Sequence, residues 1–232
     1  RLFLVLGVFD GLHRGHLYLL AALRRAAEER GARPAVITFD HHPDEVLTGS
    51  APPLLCDAEE RLERLAEAGV AITVVHHFDL ATRRTPYDGF VRQIIDRVEL
   101  AGFLMTPESA FGFERRGTPD AVATLGRELG YDVVVVPTLE LDGQPVRSAE
   151  IRAEIARGDL AAAAELLGRP YAIVGSGTGG AQLRFGMPVA LPADGTYPVS
   201  VDDVRTTVTI ADGRVRVDDG VARHGRTRVV FD

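Results

Sequence analysis

The chain has 232 residues, 46% apolar and 25% charged, which is the composition of a globular protein with a real core and excludes global disorder. Against 26 Lys and Arg stand 33 Asp and Glu, and the net charge of −7 argues against a non-specific nucleic-acid binder. A single cysteine, Cys56, allows no internal disulfide and no cysteine-based zinc site, and no apolar run approaches the ~20 residues of a membrane span. Residues 2–9 enter an apolar run directly, without a charged-then-apolar leader pattern. The expectation is a soluble cytoplasmic protein with neither nucleic-acid nor membrane partners.

Short apolar runs rich in β-branched and aromatic residues at 2–9, 34–39, 71–78, 101–105 and 131–139 read as strands. Between them apolar side chains recur at helical spacing. Leu19, Leu20, Leu23, Ala26 and Ala27 follow the first run, and Leu62, Leu65 and Ala66 the second. Phe90, Val91, Ile94, Ile95 and Val98 precede the fourth run, and Ala121, Val122 and Leu125 the fifth. Asp57 and Glu60 form a capping pair, while Thr85-Pro86 and Thr118-Pro119 each put a hydroxyl at the cap and proline at the first helical position. Strands buried on both faces and separated by helices imply a parallel sheet with right-handed crossovers. The pattern predicts an α/β fold with a doubly wound, five-stranded parallel sheet.

Residues 148–167 are alanine-rich and helical, broken at Gly158-Asp159. Beyond them come short alternating runs at 171–175, 196–201, 205–210, 214–217 and 226–231. Turn signals at 193–195, Asp212-Gly213 and Asp219-Gly220 separate these runs. The glycine run at 175–180 reads as a hairpin. The expected division is an α/β domain at 1–167 and a small, barrel-like β domain at 168–232.

The densest chemical signal, GVFDGLHRGH at 7–16, lies where the first strand hands over to the first helix. An open parallel sheet exposes its strand ends there, and a helix N-terminus offers N–H groups to an anion. His13 and His16, with Gly15 between them, can aim both imidazoles at one point ahead of the helix. Two imidazoles can donate to a phosphoryl group while charge builds on a leaving oxygen. The same pair could instead cap the helix or ligate a metal, although two histidines without a third ligand make a poor zinc site. The tandem His76-His77 ends a strand, and alternation lets at most one of them face the cleft.

HRGH after a Gly-x-Phe-Asp-Gly strand resembles the HxGH signature of the Rossmann-like nucleotidyltransferases. The longer string is similar to that of the bacterial bifunctional riboflavin kinase/FMN adenylyltransferase family, the FAD synthetases. TFDHHP at 38–43 resembles that family's TFDPHP, and Phe111-Gly112 with Arg115-Arg116-Gly117 resembles its flavin-side stretch. RSAEIR at 147–152 stands where the family carries SSTxIR, and LLGRPY at 166–171 matches the linker into its kinase barrel. The resemblance implies transfer of AMP from ATP to FMN, giving FAD and pyrophosphate with Mg²⁺ assisting, and ATP and FMN as partners. Carried over, His13, His16 and Arg152 would be catalytic. Gly7, Val8, Phe9, Asp10, Gly15 and Ser148 would line the nucleotide site, and His42, Glu108 and Phe111 the flavin side. A serine at a helix N-cap suits an anion, and Arg152 lies one turn further on the same face.

Three departures accompany the resemblance. Arg147 and Ala149 replace a serine and a threonine of SSTxIR. Pro107, Glu108 and Ser109 alter the flavin-side segment. GMPVAL at 186–191 stands for the family's GxPTAN, so Val189 and Leu191 replace the Thr and Asn that serve Mg²⁺–ATP and offer no oxygen to a hard cation. The β domain is therefore expected to be a degenerate, truncated kinase barrel without riboflavin kinase activity, retained for packing, oligomerisation or shielding the transferase site. Two other readings stay open: a paralogue transferring AMP or CMP to another phosphorylated small molecule, and a non-catalytic nucleotide- or flavin-binding regulator.

Overall fold

The computed structural model describes residues 1–218, 220–221 and 223–232; Asp219, in the expected Asp219-Gly220 turn, lies outside the described residues. By its internal contacts the chain divides into two compact units. The first comprises Arg1–Phe9, Gly15–Ala51 and Leu62–Glu140; the second comprises Asp10–Arg14, Pro52–Arg61 and Leu141–Asp232.

The first unit holds a five-stranded parallel sheet built from β1 (Leu2–Leu6), β2 (Arg33–Phe39), β3 (Ile72–His76), β4 (Leu100–Met105) and β5 (Asp132–Val135), in the order β3-β2-β1-β4-β5. The most apolar strands occupy the middle, because only there are both faces covered. All six residues of β4 and the first four of β1 are buried. The outer strands β3 and β5 leave Val74, Val75 and Val135 exposed. One face of the sheet packs Leu2, Leu4, Ala35, Ile37 and Phe103 with Val91, Val122 and Leu125 from the helices. Those helices are α5 (Tyr87–Ile95) and α6 (Pro119–Leu129). The helix α1 (Arg14–Glu28) follows β1, and α3 (Ala58–Glu67) precedes β3. Two short helices had no periodic signal: α2 (Pro43–Thr48) and α4 (Leu80–Arg84). Among the described residues, no helix is long and apolar enough to cross a membrane.

The expected caps hold at Asp57, whose Oδ1 accepts from Glu60 N at 2.7 Å, and at Thr118, which accepts from Ala121 N. Thr85 does not cap α5. Its hydroxyl donates to the Ala81 carbonyl at 2.9 Å at the end of α4, and α5 starts behind Pro86 without a side-chain cap. The first, third and fifth strands are shorter than the apolar runs, since backbone pairing ends where the chain turns toward the next helix. His77 therefore lies beyond β3, and strict alternation with His76 does not apply to it.

In the second unit β6 (Glu140–Leu141) and β7 (Gln144–Pro145) form a small two-stranded sheet before α7 (Ser148–Arg157) and α8 (Leu160–Leu167). The helices part at Gly158-Asp159 as expected, and Asp159 caps α8 by accepting from Ala162 N at 2.9 Å. The remaining strands are β8 (Ala172–Gly180), β9 (Gln182–Arg184), β10 (Gly195–Val201), β11 (Val204–Ala211), β12 (Arg214–Val217) and β13 (Arg223–Phe231). They close into a barrel ordered β10-β11-β12-β9-β8-β13. Its core takes every second residue, Val199 and Val201 of β10, Val208 and Ile210 of β11, Val215 and Val217 of β12, as period-2 alternation requires. Ile151 and Ile155 of α7 and Ala163 and Leu167 of α8 join that core. The glycine run at 175–180 makes up the last six residues of β8, and Ser176 and Gly177 pair antiparallel with Arg184 and Leu183 of β9, a hairpin as expected.

Candidate active site

The turn after β1 is unusual at the backbone. Phe9 and Leu12, both 1% exposed, sit at φ 53° and 37°. Left-handed φ in large side chains costs on the order of 1–3 kcal/mol each and persists only where the surroundings over-determine it. A side chain at Gly7 would place its Cβ 3.0 Å from the Phe9 ring, so glycine lets that ring fold back over the strand end. In the first unit, the Phe9 ring centroid lies 5.1 Å from that of His16, which projects from the first turn of α1 just after Gly15. The buried Thr38 hydroxyl donates to the Val8 carbonyl at 3.1 Å, tying the turn to the end of β2.

The segment 10–14 is fixed within the second unit. Asp10, 3% exposed, accepts from Leu55 N at 2.8 Å through Oδ1 and from Arg152 Nη2 at 2.6 Å through Oδ2. Burial pushes its carboxyl pKa up, while the Leu55 N–H and the Arg152 guanidinium pull the other way. At Gly11, φ is 77° and a Cβ would meet Leu55 Cβ at 2.8 Å, so only glycine fits. Its N–H donates to Cys56 Sγ at 3.2 Å. Burial drives the Cys56 thiol pKa up to about 12, so it stays protonated and is no nucleophile. Arg169 donates to the carbonyls of Gly11 at 2.7 Å and Leu12 at 3.3 Å.

His13 is 4% exposed, and burial, reinforced by the charges of Arg169 and Arg152, lowers its pKa to about 4. It is a neutral imidazole at pH 7 and contributes hydrogen bonds rather than a full charge. Ser148 is not the N-cap of α7. Arg147 holds that position, and Ser148, the first helical residue, donates its hydroxyl to the Asp10 carbonyl at 3.2 Å. Arg152, one turn on, also donates to the Pro53 carbonyl at 2.7 Å. Ser148 and Arg152 thus both reach the turn that carries His13.

At the carboxyl ends of β1, β2, β3 and β4 the first unit opens a cavity of about 510 Å³. It falls within the roughly 300–1,000 Å³ typical of small-molecule sites, and at the point where strand order reverses between β1 and β4. Gly7 and Val8 line it together with His42, Phe111 and the rings of Phe39, Phe78 and Phe90. Phe39 and Phe78 meet edge-on at 5.4 Å between centroids, and Phe90 and Phe111 at 5.8 Å. His42 caps α2, its Nδ1 accepting from Asp44 N at 3.2 Å, which puts the proton of the neutral ring on Nε2. Arg83 and Arg115 bring positive charge to the same lining.

Of the flavin-side residues read from the sequence, His42 and Phe111 share this cavity. Glu108 is not part of its lining; it is exposed and accepts from the Thr138 hydroxyl at 3.1 Å. The sequence reading passed over Phe39, Phe78 and Phe90, whose phenyl rings look like ordinary core residues in a linear pattern. It also passed over Arg169, for which a lone arginine in a linker gives no signal. In the second unit Val189 and Leu191 pack against the barrel core. Ala190 between them pairs with Leu54, its N–H donating to the Leu54 carbonyl at 2.9 Å, and its own carbonyl accepts from Tyr171 Oη at 2.5 Å.

Comparison with known proteins agrees with this architecture. Among solved structures, the crystal structure of a macrolide-efflux protein from Streptococcus pneumoniae superposes with a TM-score of 0.82 at 23% identity, over 99% of this chain and 83% of that one, a likeness of fold. The bifunctional riboflavin kinase/FMN adenylyltransferase of Pseudomonas fluorescens is 32% identical over 208 residues, 85% of this chain and 67% of the relative. That of Escherichia coli K12 is 31% identical over 210 residues, with 85% and 67% covered. The sequence model of FAD synthetase matches residues 1–150. This chain belongs to the FAD synthetase family.

Proposed function

We propose that the chain is an FMN adenylyltransferase: it joins the AMP part of ATP to FMN and releases FAD and pyrophosphate. An oxygen of the FMN phosphate forms a bond to the α-phosphorus of ATP. The bond from that phosphorus to the bridging oxygen breaks, and pyrophosphate leaves with the electron pair. The observation that carries the reading is the aromatic cavity at the switch point of the sheet, lined by Gly7 and Val8 of the turn that continues into His13 and His16. Five phenyl rings, those of Phe39, Phe78, Phe90, Phe111 and Phe113, suit a planar, fused-ring acceptor. Arg83 and Arg115 suit its phosphate.

In this reading His13 and His16 donate N–H groups to the ATP phosphates as charge moves onto the leaving pyrophosphate, so their contacts strengthen in the transition state. The N-terminus of α1, a helix of fifteen residues, adds backbone N–H groups. Gly7, Val8, Phe9 and Gly15 let the nucleotide approach the backbone closely. Asp10 and Ser148 hold the turn in shape, and Arg152 both pairs with Asp10 and lends its charge to the phosphates. Asp10, the carboxylate of the turn, has both oxygens committed to Leu55 N–H and Arg152, so it does not fit a protein-held metal site. Mg²⁺ enters as part of the substrate, on the ATP phosphates.

The domain division at 1–167 and 168–232 belongs to the same proposal, with the barrel as a degenerate kinase module. Val189 and Leu191 support it by packing, partly buried, against the barrel core and offering no oxygen to Mg²⁺. The test is one incubation series of purified protein with MgATP and either FMN or riboflavin, followed by chromatography and pyrophosphate release. FAD from FMN, with no FMN from riboflavin, is the expected outcome. Pyrophosphate release only with another phosphorylated acceptor overturns the assignment of FMN. ATP binding without turnover on any acceptor makes the protein a regulator. Formation of FMN overturns the reading of the barrel.

A further inference from the structure

Apart from the transferase reading, we propose that Asp40, His41 and His77 form a binding site for a divalent metal ion of the zinc class. Their ligand atoms all lie within 4.8 Å of one another. His77 Nδ1 is 2.6 Å and His41 Nε2 3.8 Å from Asp40 Oδ2, and the two imidazole centroids are 5.9 Å apart. Ligands of a tetrahedral zinc ion, at bonds of ~2.1 Å, stand about 3.4 Å from one another, so side-chain rotations of about an ångström close the site without moving the backbone.

The support around these three groups is what separates them from a chance surface cluster. Asp40 Oδ1 accepts from His41 N at 2.8 Å and from Phe78 N at 3.3 Å, which turns Oδ2 toward the histidines. The backbone joins in, Asp40 N donating to the His76 carbonyl at 3.2 Å. Glu45 Oε2 stands 3.8 Å from Nδ1 of His41, the ring nitrogen that faces away from Asp40. A carboxylate behind the far nitrogen of a ligating histidine orients the ring and raises its basicity. Two imidazoles and one carboxylate suit zinc, cobalt or nickel, whereas Mg²⁺ and Ca²⁺ prefer oxygen throughout. The side chains remain 33% to 66% accessible, leaving room for water at the fourth position. A bound ion would tether the end of β2 to the segment after β3.

The experiment uses the full chain, stripped with chelator and titrated with Zn²⁺ alone by calorimetry at fixed pH, then with Co²⁺ followed by visible absorption. One equivalent of Zn²⁺ is expected, in the presence of millimolar Mg²⁺, with a tetrahedral cobalt spectrum. His41→Ala, His77→Ala and Asp40→Asn should each weaken binding by at least a hundredfold. Glu45→Gln should weaken it by about tenfold, the low end for an outer partner. Because all three ligands are on the surface, circular dichroism and melting of the variants should match the parent. Absence of a stoichiometric site overturns the proposal. So does binding that survives the double variant His41→Ala/His77→Ala, or that is lost on His16→Ala instead, which would place the ion at the turn after β1.

Discussion

Replacing His13 with glutamine tests whether the turn after β1 holds a neutral imidazole. His13 titrates near 6.5 in an unfolded chain and at about 4 in the fold. The unfolded state therefore binds more protons between these values, and the folded pKa is the lower one. The stability that comes from keeping His13 neutral is present above pH 6.5 and is lost as the pH falls toward 4. Each pH unit in that window removes ~1.4 kcal/mol, and a gap of about 2.5 pH units removes about 3 kcal/mol in all. Asp10 works in the opposite sense. Its raised pKa adds stability at low pH that disappears as the pH rises through the folded value. Both proteins share that contribution, so the difference between parent and His13→Gln isolates the histidine. The assay is urea unfolding followed by circular dichroism at half-unit steps from pH 4 to 7.5. The parent should lose about 3 kcal/mol more than the variant on descending through the window. Parallel curves would mean that His13 keeps its unfolded pKa and is hydrated, a difference of opposite sign that it is charged in the fold, and the neutral-donor role would fall with either.

Other outcomes follow from the same geometry. His16→Ala should stay folded, lower turnover by roughly 10²–10³ and leave ATP binding within about tenfold of the parent, as single-turnover rates and equilibrium binding would record. Arg152→Ala leaves the Asp10 carboxylate buried and unpaired and should cost about 3–5 kcal/mol in denaturant unfolding. Adding Asp10→Asn should recover part of that loss; a purely additive double variant would mean the pair is not coupled. Phe78→Ala and Phe90→Ala should raise the KM for FMN about threefold to tenfold, the worth of one aromatic contact, with ATP binding unchanged. If instead only ATP binding weakens, the cavity belongs to the nucleotide.

The sequence alone determined what is local. Apolar spacing set the strands, the main helices and the parallel sheet, because burial imposes a period of 2 or 3.6 on contiguous residues. The turn at 7–16 was legible because its glycines and histidines fall within ten consecutive residues. Tertiary structure decided everything that pairs across the chain. Arg169 reaches the Gly11 carbonyl from 158 positions away, and Arg152 reaches Asp10 from 142. Nothing in a linear pattern tells such an arginine from a solvated one. Ser148 has the residue type of a cap, yet the helix starts one residue earlier, behind Arg147, and the Ser148 hydroxyl donates to the Asp10 carbonyl instead. The aromatic lining gathers Phe39 of β2, Phe90 of α5 and Phe78 and Phe111 of two loops, each ring indistinguishable in sequence from core. The barrel closes where β10 pairs with β13, a ladder specified by backbone groups that are the same in every residue. Periodicity reports which face of an element is buried, and only the folded chain reports what it is buried against.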